Sequence, residues 1–384
     1  MNIALLLRCL STDNGISRVV LAHSGHFARR GHRVCIYAAR LMLTQEERRA
    51  LPPGVTLRRF PCLRGSARIW SMPFGALRPY LRGEHDIVVS HLLSIWQDVT
   101  VMHNDPQKAE AQKLASAPFT LEKPRIRSGK RALRAFIEER RFAPSRRGAV
   151  VALSRRSAGE IASSCGVPRG SIEVIRNGVD TSFFSPRLRA AARGAARADF
   201  GFAAADTVFL YIGDSWKGLE FAIEGVAAAR IPGAALLAAG PFRAEPFAEL
   251  AARRGLRFVR VPPGSRAMAL YAAADALVSP TPLDTFGLAP LEAMASGVPV
   301  MVSAQSGVSE VVTDGGGAFV LKDPFDAGEI AVRAAALASP SFRNRAGQEA
   351  AQAAAALGWE EPSERHLRLY GSILAGKGRG GRSL

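Results

Sequence analysis

The strongest constraint on this chain is an alternation that starts twice. Short apolar runs at residues 3–7, 34–38, 87–90, 99–102 and 150–153 are separated by stretches with helical spacing. In one of these, residues 18–30, Val19, Val20, Ala22 and Phe27 recur on one face. Buried strands joined through helices pair in parallel, because only a crossover returns the chain to the same end of a sheet. The pattern begins again after residue 180, with runs at 208–212, 235–239, 258–261, 276–279 and 298–302. The expected fold class is therefore α/β, with two Rossmann-like doubly wound domains facing across a cleft. Ligands bind such sheets at the carboxyl ends of the strands. A length of 384 residues suits two domains. Expected boundaries are 1–180, 181–360 and 361–384. The last stretch is a helix able to pack back on the N-terminal domain, followed by a basic tail, Gly- and Arg-rich from Ala375 and expected to be disordered. Between the domains, Ser185-Pro186 and a helix over 187–197 form the link, and a turn at Asn177-Gly178 calls for positive φ.

One segment combines charge with a helix start. Asp284-Thr285-Phe286-Gly287-Leu288-Ala289-Pro290-Leu291-Glu292 follows the apolar run that ends at Pro280. Pro290 suits the first helical position, having no N–H to lose, and Gly297 and Pro299 end that helix. Thr285 to Leu288 then form a loop feeding a helix N-terminus, where free N–H groups and the helix dipole favour a diphosphate. Gly287 lets the backbone come close. Asp284 before the loop and Glu292 in the first turn flank the anion site, and carboxylates accept paired hydrogen bonds from sugar hydroxyls. The plainer reading has Glu292 complementing the dipole and Asp284 capping the loop.

Other strand ends carry candidates. Leu210-Tyr211-Ile212-Gly213-Asp214-Ser215-Trp216-Lys217-Gly218 reads as strand, glycine turn and helix, with Lys217 near the helix start either as a second diphosphate grip or as a solvated helix residue. Gly240 ends the next strand, as a strand-end turn or as a wall of a nucleotide pocket. Asn14-Gly15 follows the first strand, with Asn14 or Ser17 as helix cap, and Gly31 closes that helix. His103 stands at the carboxyl end of the 99–102 strand, and His91 occupies the same place after 87–90. His32 reads as structural.

Net charge is +18, and residues 1–180 hold 30 of the 51 Lys and Arg but 14 of the 33 Asp and Glu. The excess peaks between Lys123 and Arg156, through Arg125, Arg127, Lys130, Arg131, Arg134, Arg140, Arg141, Arg146 and Arg147. A basic half of this kind suits an anionic membrane surface or an acidic acceptor, or is simply a solvated arginine-rich face. It lacks the interleaved aromatics of a nucleic-acid stacking platform, so no nucleic-acid partner is expected. Cys9, Cys35, Cys62 and Cys165 show no CxxC spacing and read as small hydrophobes of a reducing compartment. No apolar run reaches 18 residues, and Arg8 cuts the first one short, which favours a buried strand over a leader.

These pieces, in this order, resemble the retaining glycosyltransferases of family 4, with the GT-B fold. The match runs from Asn14-Gly15 and Gly31-His32-Arg33-Val34 through Ser154, residues 175–180 and Lys217-Gly218 to Phe286-Gly287-Leu288-Ala289-Pro290-Leu291-Glu292. Val298-Pro299-Val300 and Gly307 to Glu310 also fit. The last long segment is similar to the family's most specific motif, two acidic residues separated by seven. The layout is somewhat similar to lipopolysaccharide-core glucosyltransferases. The resemblance implies that Glu292 holds the nucleotide ribose and that Asp284 meets the donor sugar. It implies that the amides of Phe286, Gly287 and Leu288, with Thr285, Gly213, Gly240 and Lys217, cradle the diphosphate. Gly15 would approach the phosphates, and His103 the transferred sugar and acceptor. It further implies a metal-independent enzyme with no bound cofactor, using a nucleoside-diphosphate sugar as co-substrate.

Two residues depart from the family pattern. The first carboxylate is Asp284 where Glu is usual, and the loop before Lys217 lacks the usual phosphate-binding arginine, for which Arg243 or Arg266 could substitute. The expected function is a cytoplasmic, membrane-peripheral retaining glycosyltransferase. It would move a sugar from a UDP-sugar to a lipid-linked saccharide, lipopolysaccharide or exopolysaccharide acceptor. Alternatives are a nucleotide-sugar epimerase or hydrolase of the same fold, a catalytically impaired binding relative, and a basic nucleic-acid-binding protein.

Overall fold

The structure, a computed structural model, describes residues 1–61, 79–80, 83–122, 128–143, 148–262 and 267–377. Cys62, Lys123, Arg125, Arg127, Arg146, Arg147, Arg266 and the tail beyond Lys377 lie outside these residues, as do the side chains of Lys130 and Arg131. The chain divides into two units: Met1–Glu110, Ile126–Gly178 and Trp359–Leu384 form one, and Ala111–Arg125 and Val179–Gly358 the other. The 111–125 stretch thus leaves the half in which it stands in sequence.

The first unit is built on strands β1 (Asn2–Leu10), β2 (Arg33–Leu41), β3 (Val55–Arg59), β4 (Ile87–Ser90), β5 (Val99–Met102), β6 (Ala149–Ala152) and β7 (Ile172–Val174). They pair in parallel in the order β3-β2-β1-β4-β5-β6-β7. The second sheet is parallel too, in the order β10-β9-β8-β11-β12-β13. Its strands are β8 (Thr207–Ile212), β9 (Ala234–Ala239), β10 (Arg257–Val261), β11 (Ala276–Ser279), β12 (Val300–Ser303) and β13 (Ala318–Leu321). Each sheet therefore winds outward in two directions, and strand order reverses between β1 and β4 and between β8 and β11. Ligand crevices of doubly wound sheets open at such points. Central strands such as β4, β5 and β12 are buried along their whole length, as strands covered on both faces must be.

The edge strands β3, β7 and β13 are absent from the sequence expectation. Their runs are short, and β3, for example, alternates exposed with half-buried residues, so no continuous apolar signal marks it. The strand expected at 298–302 begins at Val300, since Gly297 holds φ at 73° and Pro299 cannot donate to a ladder. Asn177 and Gly178 are not at positive φ; the chain there runs on to Val179, whose N–H donates to the Leu357 carbonyl at 2.8 Å.

Helices α1 (Gly15–Arg29), α2 (Gln45–Arg49), α3 (Gln107–Ser116), α4 (Ser128–Phe142) and α5 (Arg155–Cys165) come from the first half of the chain. The second half adds α6 (Pro186–Asp199), α7 (Leu219–Ala228), α8 (Glu245–Arg253), α9 (Ala267–Ala273), α10 (Leu288–Ala295), α11 (Ala327–Ala338), α12 (Pro340–Ala355) and α13 (Glu360–Lys377). Ala375 to Lys377, expected in the disordered tail, complete α13. Within the first unit α13 lies on α1, where His23 Nδ1 meets the Ser363 hydroxyl at 2.8 Å and His26 Nε2 meets Glu364 at 2.8 Å. The Phe27 and Tyr370 rings pack edge to face there, with centroids 5.8 Å apart.

The second unit is held by buried charge as well as apolar packing. Arg189, Arg193 and Arg197 recur every four residues on α6 and so share one face. They donate to the carbonyls of Tyr271, Ala272, Ala273 and Ala274, where the last turn of α9 leaves acceptors without helical partners. Asp275, 2% exposed, follows that turn and accepts from Arg193 at 2.7 Å, Arg197 at 3.1 Å and the Val208 N–H at 2.8 Å. Arg343 adds a fourth cation 3.5 Å from Asp275, so replacing Asp275 with Ala leaves four cationic side chains facing each other and should cost about 3–5 kcal/mol, read from the urea midpoint.

Burial, aided by neighbouring histidines, holds the imidazoles of His23 and His91 well below their ordinary value. It brings His103 down to about 4 and His366 to about 3. Unfolded, these groups take up protons near 6.5 that the folded unit refuses, so their contribution is full above that pH and is lost as pH falls from 6.5 toward 4. Denaturant unfolding of the first unit at pH 7.5 and 5.0 should show the lower midpoint at pH 5.0. An equal midpoint would mean that these rings ionise freely in the fold.

Candidate functional site

The reversal between β8 and β11 places two loops side by side. After β8 the chain passes Gly213 and Asp214 into a single 3-10 turn, Ser215–Lys217, and Gly218 then starts α7. After β11 it passes Pro280 and reaches Asp284. Lys217 Nζ donates to Asp284 Oδ2 at 2.7 Å, so a cation and a carboxylate 67 residues apart meet at the carboxyl ends of neighbouring strands. Both side chains are partly open to solvent, at 29% and 18% exposure, as a site that exchanges partners requires.

The Asp284 loop is fixed by its backbone. Asp284 N–H donates to the Gln305 carbonyl at 3.1 Å, Gly307 N–H to the Asp284 carbonyl at 3.0 Å, and Val308 N–H to the Phe286 carbonyl. The Ser306 hydroxyl adds a bond to the Phe286 carbonyl at 2.9 Å. Residues 305–308 thus run beside 284–286 like one more strand, with Asp284 paired to Ser306. The Asp284 carboxylate also accepts from the Phe286 N–H at 3.3 Å, closing a local turn. Phe286 itself is buried, at 1% exposure.

Gly287 stands before α10 at φ 102°. A Cβ there would lie 2.9 Å from the Ser306 hydroxyl, so backbone conformation and space both require glycine. The helix begins at Leu288, not at Pro290, which takes the third position, where the missing N–H is still harmless. The N–H groups of this start, from Leu288 onward, are the donors a helix leaves without intrahelical partners. Glu292 is correspondingly the fifth residue of α10, in its second turn instead of the first. Its carboxylate is 5% exposed and accepts from the Tyr271 hydroxyl at 2.8 Å. Glu292 is therefore not a dipole-complementing surface acid.

Gly240 ends β9 beside the same loops. A Cβ on it would sit 1.9 Å from the Gly213 carbonyl oxygen, so the two strand ends approach as only glycine allows. Asp214 is turned by Tyr211, whose hydroxyl donates to the Asp214 carbonyl. Burial raises the Asp214 carboxyl above its ordinary value, Lys217 opposes that rise, and Glu122 adds to it. Glu122 also accepts from the Ser215 hydroxyl, and Glu220 accepts from the Thr120 and Leu121 N–H groups at 3.1 and 3.2 Å. The 111–125 stretch thus reaches the Lys217 loop, where local sequence gives no sign of it. Arg243 has an 80% exposed side chain 3.7 Å from Glu245.

In the first unit, Asn14 is the cap of α1, accepting from Ile16 N–H at 2.9 Å, with Gly15 as the first helical residue. Ser17 instead donates to the Cys9 carbonyl at 2.9 Å. His103 follows β5, half-buried, and its Nε2 meets His91 Nδ1 at 2.8 Å. The pair joins the ends of β4 and β5, and at neutral pH both rings are uncharged. The basic run resolves into separate roles. Arg141 is buried and reaches the Leu92 carbonyl and Met102 Sδ, and Arg156 pairs with Asp105 at 2.8 Å. Arg140 is exposed over the ring of Phe136, itself 51% exposed.

Two family models match the chain: Glycosyltransferase Family 4 over residues 13–183 and Glycosyl transferases group 1 over residues 193–353. A D-inositol 3-phosphate glycosyltransferase of Nocardia farcinica is 29% identical over 241 residues, covering 59% of this chain and 52% of that protein. The chain thus spans about half the length of that curated relative. Among solved structures, WaaG, a glycosyltransferase involved in lipopolysaccharide biosynthesis, superposes with a TM-score of 0.75 at 20% identity, covering 95% of this chain and 98% of WaaG. Anabaena Alr3699/HepE, solved in complex with UDP and glucose, gives 0.68 at 17% identity, covering 97% and 100%.

Gly287→Ala should abolish nucleotide binding while lowering stability by about 1–2 kcal/mol, the cost of a left-handed non-glycine residue. Gly315→Ala carries a similar strain at φ 87° with open space around it and should leave nucleotide affinity unchanged. Calorimetric titration with UDP compares the two; equal losses would mean that strain alone, not the Gly287 cradle, sets affinity.

Proposed function

Because this chain belongs to glycosyltransferase family 4, with the GT-B fold, we propose that it transfers a sugar from a UDP-sugar to a lipid-linked saccharide, lipopolysaccharide or exopolysaccharide acceptor, with retention at the anomeric carbon. The carrying observation is the Lys217–Asp284 pair beside the Gly287 helix start. A diphosphate offers Lys217 a stronger anionic partner, and the open amides of α10 add a second grip. Asp284, released, accepts hydroxyl hydrogen bonds from the donor sugar, and Glu292 those of the ribose. Charge building on the leaving diphosphate is stabilised by Lys217 and the helix start with no metal ion, and that stabilisation is the main catalytic task. The leaving phosphate draws the proton from the acceptor hydroxyl on the same face. In the first unit, His103, neutral, serves the acceptor as a hydrogen-bonding group, and the α1 start at Gly15 suits phosphate.

The basic first half, with Arg140 and Phe136 exposed on α4, supports a peripheral position at an anionic cytoplasmic membrane face. Among the described residues no helix is long and apolar enough to cross a membrane. A second acceptor reading, a phosphorylated cyclitol, is favoured by the name of the Nocardia relative.

UDP-, GDP- and ADP-sugars should be assayed with saccharide-lipid and inositol-phosphate acceptors, and the product anomer read by NMR. A UDP-sugar should be consumed with retention, chelator should leave the rate unchanged, and Lys217→Ala should lower kcat/KM about 10²–10³-fold. No transfer or hydrolysis of any donor, with Glu292→Ala binding nucleotide as tightly as the parent, would overturn the assignment.

A further inference from the structure

Glu292 stands in a place where a carboxylate pays heavily for leaving water, and a buried hydroxyl meets it. Tyr271, 1% exposed, donates to Glu292 Oε2 at 2.8 Å from the neighbouring helix α9. The ring and backbone that carry that hydroxyl are held from several directions. The Tyr271 ring meets Phe184 edge-on, with centroids 5.6 Å apart at 83°. Its own carbonyl accepts from Arg189 Nε at 3.2 Å, and the rest of the α9 end is tied to α6 by the same arginine row. A phenylalanine would fill the ring's space equally well, so packing alone does not account for the oxygen.

We propose that Tyr271 is a positioning residue for nucleotide recognition: its hydroxyl fixes the Glu292 carboxylate so that Glu292 selects ribose over sugars lacking the 2′- and 3′-hydroxyls. This rests on the reading of Glu292 as the ribose acceptor. A glutamate side chain has three rotatable bonds, and one fixed oxygen removes the freedom of its terminal group. Two ribose hydroxyls then meet an acceptor already oriented, and binding costs less ordering. Nothing local to Tyr271 marks it for this task, because its partner is 21 residues further on.

The test is titration of the full-length protein, its Tyr271→Phe and Glu292→Ala variants and the double variant, with UDP and with 2′,3′-dideoxy-UDP. Tyr271→Phe should weaken UDP about tenfold, the range of one buried hydrogen bond to a charged group. It should leave the dideoxy nucleotide within about twofold, and the double variant should bind UDP no more weakly than Glu292→Ala alone. An equal loss on both nucleotides, or no loss, overturns the role of Tyr271 while Glu292→Ala still abolishes the ribose preference. If Glu292→Ala keeps that preference, the reading of Glu292 itself fails.

Discussion

A carboxylate taken out of water must find donors, and three in the second unit do so by joining segments distant in sequence. Asp275 gathers arginines from α6 and an N–H from β8. Glu220 takes the backbone of residues 120 and 121, and with Phe119 packed on Phe221 this ties the 111–125 stretch to α7. Glu292 takes the hydroxyl of Tyr271. Remove any one and two elements lose a polar joint as well as apolar contact. The Glu220 and Glu292 joints stand in the helices that follow the loops after β8 and β11, while Asp275 ties the amino ends of the same two strands, so the unit is braced at both ends of its central strand pair and the candidate site is shaped at one of them.

The loops themselves follow from topology. Parallel strands that wind outward from a central pair leave a gap where the order reverses, and the sequence fills that gap between β8 and β11 with Lys217 and Asp284. Their ion pair is partly solvent-exposed and links two loops that the backbone otherwise holds separately. Under the proposed function it is a placeholder: the lysine occupies the carboxylate until a diphosphate arrives. A shorter acid at position 284 matches this arrangement, since its hydrogen bond to the Phe286 N–H keeps the carboxylate close to its own loop.

How much was legible depended on burial. Residues 87–90, 99–102 and 276–279 stand as strands with the bounds their apolar runs suggest, because strands covered on both faces leave an unbroken signal. Edge strands are less regular: β10 was legible at 258–261, β3 and β7 lack an unbroken apolar run, and β13 was missed although Ala318-Phe319-Val320-Leu321 is one. The loop from Asp284 to Leu288, the Asn14 cap and the Lys217 turn could be read locally, since caps and glycine turns follow from neighbouring residues. The depth of Glu292 could not: Pro290 fits the third helical position as well as the first, and that ambiguity moves the carboxylate by about half a turn. Tyr271, Glu122 and Glu220 act across the fold, and the basic run mixed an inward Arg141 and a paired Arg156 with the exposed Arg140. Charge counted along a sequence does not say which way an arginine faces.

The central claim is that the Lys217–Asp284 pair and Glu292 together form the donor site. A crystal structure of the protein with UDP tests it most directly. The account predicts Lys217 Nζ on the diphosphate, its 2.7 Å contact with Asp284 Oδ2 broken, and the ribose hydroxyls on Glu292. A nucleotide bound elsewhere with that contact intact, or a ribose remote from Glu292, would contradict it.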